Sequence, residues 1–116
     1  MIEQLNKVEL IGKVGTTRIT DVGDTRAVAF SVATNYAFRE QDGSAVIETN
    51  WHNVAGIEEK VVGPLDGLKK GASVRVLGRL CMRRYTGEDG SLRSFVEVKA
   101  SRIEILSEDA SIPENE

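Results

Sequence analysis

Apolar and polar residues alternate with a period of two along most of the chain, the spacing that sends every second side chain to one face of a strand. In the first run, Val8, Leu10, Gly12 and Val14 share a face. Between Ala27 and Thr34, Val28, Phe30, Val32 and Thr34 lie on one side, and the other side is small throughout: Ala27, Ala29, Ser31 and Ala33. A third run spans Ile47 to Gly56. A fourth aligns Val74, Val76, Gly78, Leu80 and Met82, and a fifth, Phe95 to Leu106, groups Val96, Val98 and Ala100. Five strands are predicted. Asp42-Gly43 and Asp89-Gly90 mark hairpins, with type I′ turns expected because those turns need positive φ at their central residues. Asp21-Val22-Gly23-Asp24 marks a turn between the first two strands. Only Ile57 to Lys70 has helical spacing, with Ile57, Val61, Val62, Leu65 and Leu68 at steps of three and four. Gly63-Pro64 interrupts it, so a short helix starting near Pro64 is expected.

Three strands, one helix and two strands is the order of an OB-fold: an all-β, five-stranded Greek-key barrel with one short helix between the third and fourth strands. Its loops and one face bind oligonucleotides or oligosaccharides. Val8-Glu9-Leu10-Ile11-Gly12-Lys13-Val14 and Val74-Arg75-Val76-Leu77-Gly78-Arg79-Leu80 repeat one pattern, apolar-charged-apolar-apolar-Gly-basic-apolar. The two strands they belong to pair in such a barrel, and a glycine in each permits the bend that closure demands. The alternative is two ordinary strands that look alike. Residues 1–106 read as the barrel domain, and 107–116 as a disordered acidic tail.

With 116 residues there is room for one domain. No apolar run approaches the ~20 residues of a membrane helix. Met1-Ile2-Glu3-Gln4-Leu5 lacks the layout of a secretion signal, and a lone cysteine, Cys81, forms neither an internal disulfide nor a cysteine metal cluster. A cytoplasmic location and no membrane partner are expected. The net charge of −3 is unevenly distributed. Up to residue 103, 15 bases stand against 13 acids, a balance of +2, and the remaining five acids follow with no base among them. That distribution is compatible with a nucleic-acid partner.

Candidate chemistry is sparse. His52 is the single histidine, no carboxylate spacing suggests a metal, and neither Gly12 nor Gly15 opens a helix as a phosphate loop requires. No catalysis, cofactor or metal is expected. The aromatic residues are Phe30, Tyr36, Phe38, Trp51, Tyr85 and Phe95. Phe30 belongs to a core face, and the other five lie near turns or polar neighbours. Phe38-Arg39 and Arg83-Arg84-Tyr85 set rings beside guanidinium groups on hairpin arms, and Trp51 is flanked by Asn50, His52 and Asn53. A ring offers a flat face to any base, and a cation beside it neutralises phosphate. Each exposed ring has the alternative of simply lying flat on the barrel.

From about Leu5 to Leu106 the chain resembles the bacterial single-stranded DNA-binding proteins. The resemblance is carried by Asn6-Lys7-Val8 with Leu10-Ile11-Gly12, by Phe30-Ser31-Val32-Ala33-Thr34-Asn35, and by Thr49-Asn50-Trp51-His52-Asn53-Val54. Leu68-Lys69-Lys70-Gly71-Ala72-Ser73-Val74, Val76-Leu77-Gly78-Arg79-Leu80, Arg83-Arg84-Tyr85-Thr86 and Asp89-Gly90 complete it. It implies sequence-independent binding and protection of single-stranded DNA in replication, recombination or repair. Trp51 matches one stacking platform. Phe38 and Tyr85 fall where tryptophans are usual, and Ile57 where a phenylalanine is common, so weaker binding than a tryptophan-rich relative is expected. Lys13, Arg39, Lys70, Arg75, Arg79, Arg83, Arg84 and Arg93 are candidates for phosphate contact. The resemblance further implies a homo-oligomer, a tetramer with a dimer as the alternative, with His52 and Ile11 at subunit interfaces. The family's long linker and apolar-ended acidic tip have no match beyond a faint echo at Ile112-Pro113, so tail-mediated recruitment of replication proteins is not expected and a short paralogue is. The competing readings are an OB adaptor of the primosomal type, acting mainly through protein contacts, and an oligosaccharide binder or hydrolase on the same fold.

Overall fold

A computed structural model describes residues 2–106; the expected acidic tail, 107–116, lies outside them. Five long strands are present: β1 (Val8–Val22), β2 (Thr25–Arg39), β3 (Ala45–Ile57), β5 (Ser73–Thr86) and β6 (Leu92–Ile105), with a two-residue strand, β4 (Val61–Val62), between the third and fourth of them. The sheet runs β3-β2-β1-β5-β6-β4 and closes on itself where β3 pairs in parallel with β6 at Val54↔Val98 and Ala55↔Lys99. This is the expected OB barrel.

The alternating apolar faces meet inside it. Val14, Val28, Phe30, Val32, Val54, Val74, Val76, Val98, Ala100 and Ile103 form the core, joined by Leu68 from the loop below. On β6 the predicted alternation holds through Val98 and Ala100 and then shifts by one. The extra residue Ser101 falls at a bulge between Leu77↔Arg102 and Gly78↔Ala100, which turns Ile103 inward. The repeated glycines occupy β1 and β5, which pair directly at Val8↔Gly78 and Gly12↔Val74. A Cβ on Gly12 would lie 2.1 Å from the Ala33 carbonyl oxygen, and one on Gly78 2.3 Å from that of Lys99. Glycine is what lets the neighbouring backbones approach here, as the sequence pattern predicts.

Between β3 and β5 the helix expected near Pro64 is a single 3₁₀ turn, Leu65–Gly67, preceded by another at Glu58–Lys60. Gly63 at φ 112 and extended Pro64 at ψ 132 break the chain, and Gly71 at φ 89 ends the segment, leaving too few residues to nucleate an α-helix. The apolar spacing instead serves a plug: Leu68 is buried, and Val61 and Leu65 pack against the core.

Each strand outlasts the run that predicted it, because the hairpins continue beyond the barrel as paired arms. β2 and β3 keep an unbroken register from Ala27↔Ile57 to Arg39↔Ala45, and β5 and β6 pair out to Thr86↔Leu92. The arm tips are hairpins but not of type I′. Positive φ is confined to glycine among the described residues, so Asp42 and Asp89 keep negative φ while Gly43 and Gly90 take φ 89 and 81. In each tip the aspartate Oδ1 accepts from the backbone N–H of the serine two residues on, at 2.9 Å for Ser44 and 3.0 Å for Ser91, and from its hydroxyl at 2.6 Å. These Asx turns satisfy the tip locally, and the longer loop they close needs only one positive φ.

Candidate nucleic-acid interface

Register fixes which side chains share the outer face. Ala33 stands between Lys13 on β1 and Trp51 on β3, and Ala29 between Arg18 and Ala55. The small side of β2 is therefore a low floor, with hydroxyl and cationic residues of β1 along one edge and Trp51, Asn53 and Ile57 along the other. A bulge in β1, where Gly15 and Thr16 face Ser31 alone, keeps this arrangement; Thr16 N–H donates to Ser31 Oγ at 2.9 Å. Trp51 is 62% exposed. Its ring reaches over the bulge: a Cβ on Gly15 would lie 2.4 Å from Trp51 Cζ3. The indole thus has a seat that a bare backbone provides, with its outward face open to solvent.

Beside this floor runs a groove of about 570 Å³. Thr16, Arg18, Ser31 and Asn53 line it from the barrel, and Tyr85, Phe95 and Glu97 from the β5–β6 arm. Tyr85 and Phe95 meet edge to face with centroids 5.8 Å apart, a favoured geometry for two rings. On the β2–β3 arm Tyr36 and Phe38 stack at 6.1 Å and 29°. The unbroken register puts the even-numbered residues of β2 with those of β3, so Phe38 lies on the opposite face of the arm from Trp51. The predicted platforms therefore fall on two surfaces. Trp51 and Ile57 share the outer floor with Tyr85 across the groove, and Phe38 is reached only over the edge of the arm.

The candidate cations divide by what already holds them. Arg75 Nε donates to Glu9 Oε2 at 2.6 Å, and its Nη1 lies 3.3 Å from Glu104 Oε2. Those hydrogen bonds, Glu9's foremost, raise the guanidinium pKa above its ordinary value. Arg83 pairs with Glu97 at 3.6 Å, Arg93 with Asp89 at 3.5 Å, and Arg39 Nη1 donates to the Gly43 carbonyl at 2.9 Å. Lys13, Lys70, Arg79 and Arg84 enter no ion pair among the described residues, and neither does Arg18. Lys70 sits beside Gly71, whose N–H donates to the Val14 carbonyl at 2.8 Å, which brings it near Lys13. Arg84 lies on the face of β5 opposite Tyr85. His52 points to the inner side, its Nε2 2.8 Å from Thr34 Oγ1, and Ile11 is half-buried opposite Arg75 on the outer face.

Arg18, Tyr36, Phe95 and Glu97 join the site in the fold although they are not among the residues expected there from sequence. Tyr36 was reachable through its two-residue offset from Phe38, and Phe95 through the Asp89-Gly90 hairpin that folds it back toward Tyr85. Arg18 faces the floor only because the bulge at Gly15-Thr16 reverses the alternation. Among the described residues no group of His, Cys, Asp and Glu is arranged to hold a metal, and no helix is long and apolar enough to cross a membrane.

Residues 5–106 match the profile of the Single-strand binding protein family. A single-stranded DNA-binding protein of Neisseria meningitidis serogroup A is 35% identical over 104 residues, covering 88% of this chain and 60% of that protein. Single-stranded DNA-binding protein 1 of Xylella fastidiosa is 36% identical over 109 residues, covering 88% and 77%. Among solved structures, the Plasmodium falciparum single-strand binding protein in complex with single-stranded DNA superposes with a TM-score of 0.74 at 27% identity, covering 92% of this chain and 99% of that one. The chain spans 60% of the length of the first of these relatives.

Proposed function

The chain belongs to the Single-strand binding protein family, and from that premise we propose that it binds single-stranded DNA without reading its sequence and protects it during replication, recombination or repair. The observation that carries this is Trp51, open to solvent over a floor of alanines and serine with Lys13 in the same row. Bases stack on Trp51, with Ile57 as an apolar neighbour, and on Tyr85 across the groove; Phe38 serves a strand that passes over the arm. The phosphates follow Lys13, Arg18, Lys70 and Arg79, barrel cations that no acid holds among the described residues. Arg39, Arg83, Arg84 and Arg93 contribute at the arms, and Arg75 least, because Glu9 and Glu104 already hold it. Ile11 and His52 are the proposed subunit contacts of a homo-oligomer, and a cytoplasmic location accompanies this activity.

Fluorescence anisotropy of a labelled dT oligonucleotide tests the reading. With about four phosphates neutralised, log K falls against log salt with a slope of roughly −3 for a single strand. Binding to oligo-dT well above that to duplex DNA, with such a slope, is the expected result. Absence of binding at low salt, or equal affinity for duplex, overturns it.

A further inference from the structure

Glu97 is 8% exposed, the one charged side chain buried among the described residues, and it lines the groove. No hydrogen bond reaches its carboxylate among the described residues, and its ionic partner Arg83 stands 3.6 Å away. A carboxylate has about four acceptor positions, and since Thr17 Oγ1 is the fully buried side-chain oxygen or nitrogen that lacks a partner among the described residues, the Glu97 oxygens stay within reach of the groove. Such a group in the wall of an open groove is an acceptor waiting for a donor from a ligand.

Phe95 lies two residues before Glu97 on β6, so both point to one side about 7 Å apart along the strand. The two side chains therefore line the same stretch of the groove. Tyr85 packs against Phe95, and Asn53 faces the groove from β3. The negative charge disfavours phosphate at this point, so the part of the strand that fits is a base.

Resting on the single-stranded DNA reading above, we propose that the groove is a nucleobase pocket in which Glu97 accepts a hydrogen bond from an exocyclic amino group, favouring cytosine over thymine. Cytosine presents N4–H₂ to a carboxylate, where thymine presents the acceptor O4. The preference tilts a sequence-tolerant binder at one subsite and leaves stacking elsewhere unchanged. Homopolymers suit the test because any register puts the same base in the pocket.

Three oligonucleotides of equal length are compared at one salt concentration: dC, dT, and a strand of 2-pyrimidinone, which is cytosine without its amino group. The unaltered protein should bind the 2-pyrimidinone strand about tenfold more weakly than dC, the scale of one base-edge contact. In Glu97→Gln, whose amide donates as well as accepts, dT should gain several-fold relative to dC. Equal affinity of the unaltered protein for dC and 2-pyrimidinone overturns the inference, as does a Glu97→Gln change that moves dC and dT by one factor. In both cases oligo-dT binding stands and the single-strand reading survives. Failure to bind either dT or dC would overturn that reading and this one with it.

Discussion

At the scale of single residues, base stacking turns on Trp51 and the glycine beneath it. The polar neighbours Asn50, His52 and Asn53 already set Trp51 apart in sequence as a poor core residue, and it is open to solvent. The role of Gly15 was not legible, because it depends on a bulge in β1 that brings residue 15 under a side chain 36 positions away. The same limit hid the face of Phe38, since only the register of β2 with β3 shows that residues 38 and 51 point apart. Gly15→Val is a direct probe of the seat. Its backbone is not among the positive-φ glycines, and a side chain there meets the indole at 2.4 Å and Ser31 Oγ at 2.8 Å, so it displaces the ring and crowds the bulge. Affinity for oligo-dT should fall by several-fold, within the ~1–3 kcal/mol assigned to one stacking contact, at a temperature where circular dichroism shows the variant folded. Unaltered affinity, read by anisotropy, would show that the ring's position is not what binding uses.

At the scale of elements, the arms carry most of the rings and half of the eight candidate cations, and their tips are closed by one device used twice. Asp42 and Asp89 are drawn below the ordinary carboxylate value, first by the hydroxyl and then by the backbone N–H of Ser44 and Ser91 respectively. A lowered folded-state pKa means the contribution is complete above the ordinary value of 3.8 and is lost only as pH falls through the lowered one. Carboxyl chemical shifts should therefore titrate with midpoints under 3.8 at both residues, with the Ser44 and Ser91 amides losing protection over the same range. Midpoints at or above that value would contradict the turn geometry. Asp-Gly was sufficient to locate both hairpins in the sequence. It did not reveal the turn type, because the following serine satisfies the aspartate and releases it from positive φ. The segment 57–70 misled in a related way: its apolar steps resemble helix spacing, yet Gly63 and Pro64 divide it into 3₁₀ turns that plug the barrel.

At the scale of the whole molecule, the barrel was legible because two-residue alternation marks its strands and the matched glycines mark the pairing of β1 with β5; the parallel contact of β3 with β6 that closes it left no such signal. The charge pattern was less informative. Half of the eight candidate cations are already engaged by acids or a backbone carbonyl, a matter of folded contacts that composition does not contain. What remains is a barrel with an open indole, a small-residue floor and a few uncommitted cations, enough for stacking and phosphate contact. Because Trp51 is the only tryptophan, its fluorescence reports on that one position. Titrating the protein with oligo-dT at low salt should quench the emission in step with complex formation measured by anisotropy. Complex formation that leaves the emission unchanged would contradict the central claim that a base stacks on this ring.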